Sequence, residues 1–385
     1  MSFERLNLVK PLLDAVAREG YTTPTAIQQR SIPHILAGKD LFGCAQTGTG
    51  KTAAFALPLL QRLMMEPAGR QPGRMRALVL APTRELAIQI DQSFRTYGAG
   101  TTLKTTCVYG GVSQVNQVNR LRQGVDILIA TPGRLLDLIH QGLVRLDTIR
   151  YFVLDEADRM LDMGFIHDIR KVVALLPANR QTLFFSATVA PEIRKLAGTI
   201  LSSPVMVSVD PEPEVSRLIE QSVYYVRKED KKLLLNHVIH NHAIGNALVF
   251  TRTKHGADKV AKELNRNGIS AEAIHGNKAQ NRREKSLQGF RSGTIRVLVA
   301  TDIVSRGIDI DHLSHVINYE IPETPEAYVH RIGRTGRAGI AGKAISFCSP
   351  DERKYLKDIH KEIRNEIPVI GQHPFNGIPE HQHFN

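Results

Sequence analysis

The stretch Ala45–Thr52, AQTGTGKT, constrains this 385-residue chain more than any other. A glycine-rich loop ending in Gly-Lys-Thr, set between a short apolar run and an apolar helix, has a specific physical use. Its backbone N–H groups wrap the β- and γ-phosphates of a nucleotide, its lysine reaches them and its hydroxyl sits on Mg2+. Gly50, Lys51 and Thr52 carry the demanding roles, with Gln46, Thr47, Gly48 and Thr49 completing the loop. Ala45 replaces the first glycine of the motif, a one-methyl change where the strand leaves the sheet. Asp40–Cys44 reads as a buried strand, and Thr52–Leu60 as a helix whose N-terminus faces the phosphates. A plain glycine-rich turn is the alternative, and the rest of the chain decides between them.

Apolar runs recur along the sequence with helical patterns between them. Ala77–Ala81, Lys104–Tyr109, Asp126–Ala130, Tyr151–Leu154 and Gln181–Phe185 form one series; Ala247–Phe250, Ala271–Ile274, Arg296–Ala300, His315–Tyr319 and Lys343–Phe347 form a second. Continuous apolarity marks strands covered on both faces, so the fold class is α/β, with mainly parallel sheets flanked by helices. Between the series lies Val209–Val215, acidic and carrying Pro211 and Pro213. Two domains follow, 1–208 and 219–360, with a linker at 209–218; beyond 360 the periodicity fades, which predicts a poorly ordered tail at 361–385. The second series lacks a Gly-Lys loop, which suggests that it completes a site on the first.

Composition narrows the partners. A net charge of +12 favours a polyanion, and no apolar run approaches the length of a membrane span. The start, MSFERLNLVK, has no apolar signal region, and Cys44, Cys107 and Cys348 are too scattered for a disulfide framework or a CxxC metal site. A cytoplasmic location is expected. His237, His240 and His242 have metal-like spacing with no cysteine nearby and read as incidental surface residues, as do His381 and His383.

After the run Tyr151–Leu154 comes Asp155-Glu156-Ala157-Asp158. Carboxylates at the C-terminal end of a parallel strand stand where such sheets bind ligands. Asp155 is placed to hold Mg2+ opposite Thr52, and Glu156 to orient or activate water.

With the loop and this tetrad in order, the chain resembles a DEAD-box ATP-dependent RNA helicase. The likeness extends through Tyr21–Gln28 (YTTPTAIQ), Pro82–Ala87 (PTRELA), Gly110-Gly111, Thr131–Arg134 (TPGR), Ser186–Thr188 (SAT), Ala300–Gly307 (ATDIVSRG) and His330–Arg337 (HRIGRTGR). The N-terminal half is most similar to the bacterial RhlE-like subgroup.

The resemblance implies two tandem RecA-like domains, with ATP and Mg2+ as cofactors and RNA, single-stranded or as short duplex, as partner. It implies that Gln28 selects adenine, with both a donor and an acceptor to offer, that Tyr21 stacks on the base over Phe3, and that Asp309 contacts the ribose. Arg334 and Arg337 become arginine fingers on the γ-phosphoryl group. Thr83, Arg84, Gly111, Gly133 and Arg134, then Arg252, Gln280, Arg283 and Thr301, become contacts to the RNA backbone, largely independent of sequence. Asp158, Ser186, Thr188, Gly307 and His330 become the residues that couple the domains. Val304 departs from the alanine usual in its motif, which places coupling between the sites in question. A monomer is expected, with ribosome-assembly or RNA-decay proteins as candidate partners. Two rival readings stay open: a DNA translocase of the wider helicase superfamily, and an ATP-gated RNA clamp whose turnover is incidental.

Overall fold

The computed structural model describes residues 2–46, 48–66, 74–209, 219–242, 244–302, 313–336, 341–363 and 365–376. The chain divides into two compact units, Met1–Pro211 and Glu212–Asn385, the division falling in the acidic, proline-containing stretch.

The first unit runs α1 (Lys10–Arg18), α2 (Ala26–Leu36), β1 (Leu41–Cys44), α3 (Lys51–Met65), β2 (Ala77–Leu80), α4 (Arg84–Tyr97), β3 (Thr105–Val108), α5 (Val115–Arg122), β4 (Ile127–Ala130), α6 (Pro132–His140), β5 (Tyr151–Leu154), α7 (Ala157–Asp162), α8 (Ile166–Ala174), β6 (Gln181–Ser186), α9 (Pro191–Ile200) and β7 (Val205–Ser208). Its strands form a parallel sheet in the order β3-β4-β2-β5-β6-β1-β7. Side chains alternate across it: Ala77 and Val79 enter one core, Leu78 and Leu80 the other. Both faces are therefore covered by helices, which is why these strands read as unbroken apolar runs.

The second unit contains β8 (Ile219–Tyr225), α10 (Lys231–Asn241), β9 (Ala247–Phe250), α11 (Lys254–Arg266), β10 (Ala271–Ile274), α12 (Gln280–Arg291), β11 (Val297–Ala300), β12 (His315–Asn318), α13 (Pro325–Ile332), β13 (Gly342–Cys348) and α14 (Arg353–Ile363). Its sheet, again parallel, has the order β10-β11-β9-β12-β13-β8. Each unit is thus an α/β sheet flanked by helices, with the carboxyl ends of its strands along one edge.

The sequence pattern missed β7 and β8. Both lie at sheet edges, and both mix polar with apolar residues; Met206 of β7 is 60 % exposed. The expectation of a loose tail also needs correction over residues 361–363 and 365–376. Positions 361–363 finish α14, and the segment 365–376 docks along the free edge of β8. Val223 N donates to Pro368 O at 2.9 Å, and Ile370 N to Val223 O at 2.8 Å. Within this strap Ile367 is buried, and Ile370 and Phe375 pack on the core. Its short apolar anchors are too widely spaced to read as an element. No helix among the described residues is long and apolar enough to cross a membrane.

Candidate functional site

Ala45 leaves β1 with its backbone N–H donated to Ser186 O at 3.0 Å and its methyl group buried in the core. An alanine at the head of the loop is a packing residue and leaves the loop geometry intact. Gly48 and Gly50 have φ of 85° and 89°, the left-handed region that a side chain disfavours. At Gly50 space is also closed, since a Cβ would lie 2.4 Å from Gln28 Nε2. Gly50 caps α3, so Lys51 and Thr52 open the helix with their N–H groups unused by the preceding turn. Lys51 is buried, and its Nζ donates to Ala45 O at 2.6 Å. Thr49 Oγ1 donates to Gln46 O at 2.7 Å; Thr47 lies outside the described residues.

Gln28 is buried at the start of α2, where its Oε1 accepts from Thr25 N at 2.9 Å and its Nε2 donates to Gly50 O at 3.1 Å. The amide expected to read adenine therefore bridges a helix cap and the phosphate loop. Tyr21 is 43 % exposed with its ring available for stacking, whereas Phe3, expected beneath it, belongs to the core. Burial pushes the phenol of Tyr97 well up, with neighbouring Tyr21 adding to the rise.

Asp155 follows central strand β5 and is buried, with Oδ1 accepting from Glu156 N at 3.0 Å. Burial pushes its carboxyl up to about 7, against the opposing charge of Lys51 and with that of Glu156 adding to the rise. Glu156 has φ 52° and ψ 51°, a left-handed backbone at a non-glycine residue, a geometry concentrated at functional sites. Its Oε2 accepts from Arg159 Nη1 at 2.7 Å, and both side chains are buried. Asp158 Oδ2 accepts from Ala187 N at 3.1 Å, and Ser186 Oγ from Thr188 N at 3.3 Å, so DEAD and SAT are joined within the first unit. Among the described residues no group of three His, Cys, Asp or Glu is placed to hold a metal, so a cation at Thr52 and Asp155 needs phosphate oxygens and water to complete its shell. The one hydroxyl and one carboxylate of this chain suit Mg2+ bound in that way.

Other expected residues sit at the carboxyl ends of β2, β3 and β4. Thr83 caps α4 by accepting from Leu86 N at 3.3 Å. The Arg84 guanidinium lies over Gly111, where a Cβ would come within 2.1 Å of it; φ of 77° there favours glycine as well. Arg134 donates to Gln117 Oε1 at 3.3 Å and Val112 O at 3.1 Å. Gly133 lies in the first turn of α6 with open space where a side chain would be.

In the second unit Arg252 follows β9; its Nε donates to Ile321 O at 3.1 Å, its guanidinium pairs with Glu352, and it lies 5.5 Å from the Tyr355 ring. Gln280 and Arg283 open α12 and are 2 % and 7 % exposed, with Arg283 Nη1 donating to Gln280 Oε1 at 3.3 Å. They present less surface to a ligand than expected, because each serves the other. Thr301 and Arg334 are buried and His330 is half-buried. Val304, Gly307, Asp309 and Arg337 lie outside the described residues.

Sequence reasoning missed two anchors. Arg331 is 2 % exposed, forks onto Asp302 at 2.6 and 2.8 Å, donates to Asn318 Oδ1 and Glu320 O, and lies 5.0 Å from the Phe250 ring. Both members of this pair stand in quoted motifs, so their opposite charges were a signal. Glu352 stands in none, yet it pairs in the interior with Lys231 and Arg252 and accepts from Ser349 N at 3.0 Å.

Comparison with known proteins agrees with this geometry. Residues 25–196 match the DEAD/DEAH box helicase family, and residues 230–339 match the helicase conserved C-terminal domain. The chain is 43 % identical over 367 residues to the DEAD-box ATP-dependent RNA helicase CshA of Streptococcus pneumoniae, covering 95 % of this chain and 69 % of that protein. It is 43 % identical over 371 residues to the ATP-dependent RNA helicase vasa of Drosophila melanogaster, covering 96 % and 56 %. Among solved structures, S. cerevisiae Dbp5 bound to RNA and ADP BeF3 matches with a TM-score of 0.83 and 31 % identity, covering 96 % of this chain and 95 % of that one. The chain belongs to the DEAD-box ATP-dependent RNA helicases, enzymes that hydrolyse ATP.

Proposed function

We propose that this helicase holds ATP on the loop at 45–52, grips the RNA backbone with both units and opens short duplexes locally. The observation that carries the reading is the cluster at the ends of β1 and β5, where Lys51, Asp155 and Glu156 are buried beside an open-ended helix. Lys51 exchanges its bond to Ala45 O for a phosphate oxygen. Mg2+, bound by Thr52 and Asp155, supplies positive charge to the phosphates. Glu156, oriented by Arg159, positions or deprotonates the attacking water. Gln28 reads the adenine edge, Tyr21 stacks on the base and Asp309 binds the ribose. Arg334 and Arg337 of the second unit stabilise charge on the γ-phosphoryl group.

RNA is held by Thr83, Arg84, Gly111, Gly133, Arg134, Arg252, Gln280, Arg283 and Thr301, through phosphates and 2′-hydroxyls and without regard to sequence. The linkage of Asp158 to Ala187 supports coupling through Ser186 and Thr188, with Gly307 and His330 as its counterparts in the second unit. Placement in the RhlE-like subgroup, a monomeric state, a cytoplasmic location and ribosome-assembly or RNA-decay partners complete the reading; the subgroup rests on the N-terminal half of the sequence.

The test is ATP hydrolysis with matched single-stranded RNA and DNA. Stimulation by RNA alone is expected. Equal stimulation by DNA would favour the translocase reading, and no stimulation by either would favour the clamp.

A further inference from the structure

Helix α11 starts two residues after Arg252 and turns a basic face to solvent. His255, Lys259, Lys262 and Arg266 recur at i, i+4, i+7 and i+11, and all four are exposed. On a helix this spacing confines them to one narrow stripe about 16 Å long. The opposite face, Ala257, Val260, Ala261 and Leu264, is buried, so the stripe cannot turn inward.

The acids beside it are already matched. Asp258 is bonded to Lys278 at 2.7 Å and to His275 at 3.0 Å, which holds its carboxyl low; Glu263 stands 3.6 Å from Arg266. Lys259 and Lys262 make no ion pair among the described residues. At the near end Lys254 Nζ donates to Asn277 Oδ1 at 2.8 Å, which carries positive charge from the turn at Arg252 onto the helix. Two lysines free of ion pairs among the described residues, flanked by an imidazole and a guanidinium on a convex helix face, suit a regularly spaced chain of phosphates and read no bases.

We propose that this face of α11 is a second track for RNA backbone, carrying the strand beyond the segment held by Arg252, Gln280, Arg283 and Thr301. It rests on the RNA-binding reading above and adds to it a dependence on RNA length. The stripe spans about five nucleotides at the 3.4 Å spacing of a stacked strand.

The test compares the parent with the triple variant Lys259→Ala, Lys262→Ala, Arg266→Ala, on oligouridylates of roughly 8 and 30 nucleotides with a non-hydrolysable ATP analogue. For the longer RNA, affinity falls about tenfold and the salt dependence flattens by about two log units per log unit, as expected for three lost phosphate contacts. The shorter RNA binds the variant as it binds the parent, as does the longer RNA when Lys259→Arg and Lys262→Arg retain the charge. An equal loss on both lengths, or none on the longer, overturns the track. A parent that binds neither RNA overturns the proposed function and the track with it.

Discussion

At the scale of single residues, Gln28 has both its hydrogen-bonding atoms engaged by the protein, one on Thr25 and one on Gly50. Each atom keeps one further bond to give, so in the proposed reading Gln28 meets adenine while still holding Gly50 O, which ties base identity to loop shape. Gln28→Ala is expected to lose roughly 1–3 kcal/mol of discrimination between ATP and GTP. An unchanged ratio of their hydrolysis rates would remove Gln28 from the base site. The loop and the DEAD tetrad were legible in the sequence because each needs fixed residue types at fixed spacing. The buried partners were passed over: Arg159 stands three residues after Glu156, a local pairing the sequence already held, whereas Glu352 reaches Arg252 from 100 residues away and only the tertiary fold brings them together. A titration belongs to this scale too. Burial, with Lys343 and His242 adding and Glu220 opposing, holds the His315 imidazole at about 4 against 6.5. Between those values the unfolded chain binds a proton that the folded chain does not, so stability is lost as pH falls through about 4 and regained above 6.5. His315→Gln is expected to lessen the pH dependence of the unfolding midpoint of the second unit over that range. Equal dependence in parent and variant would contradict the assignment.

At the scale of elements, the central strands were readable and the edges were not. A strand buried on both faces has little choice but aliphatic residues, whereas β7 and β8 each leave polar side chains to solvent. The strap at 365–376 was hidden for a related reason. It holds by two backbone bonds to Val223 and by Ile367, Ile370 and Phe375, a pattern without period. Its work is to cover an edge that would otherwise offer unpaired backbone groups. Ending the chain at Ile363 is expected to lower the unfolding midpoint of the second unit by roughly 3–8 °C, from the lost apolar burial. Calorimetry would decide, and an unchanged midpoint would show that the strap contributes nothing to stability. The same truncation leaves every proposed ATP and RNA residue in place.

At the scale of the whole molecule, two parallel sheets of related strand order carry different equipment. The first has the phosphate loop and the carboxylates; the second has Arg334, Arg337 and the basic face of α11. ATP and RNA couple only if each binds one global state better than another, and turnover of ATP then sets how long RNA stays bound. Glu156→Gln isolates that claim. It keeps the side chain's size and leaves in place Lys51, Thr52 and Asp155, the proposed holders of nucleotide and cation; it removes the carboxylate proposed to serve the water and, with it, the charge that pairs with Arg159. Turnover is expected to fall on the order of 10²-fold or more. The deciding measurement is RNA dissociation in the presence of ATP, alongside single-turnover hydrolysis, for parent and variant. Slow hydrolysis with prolonged RNA binding is the predicted result; normal hydrolysis, or loss of ATP-dependent RNA binding, would contradict it.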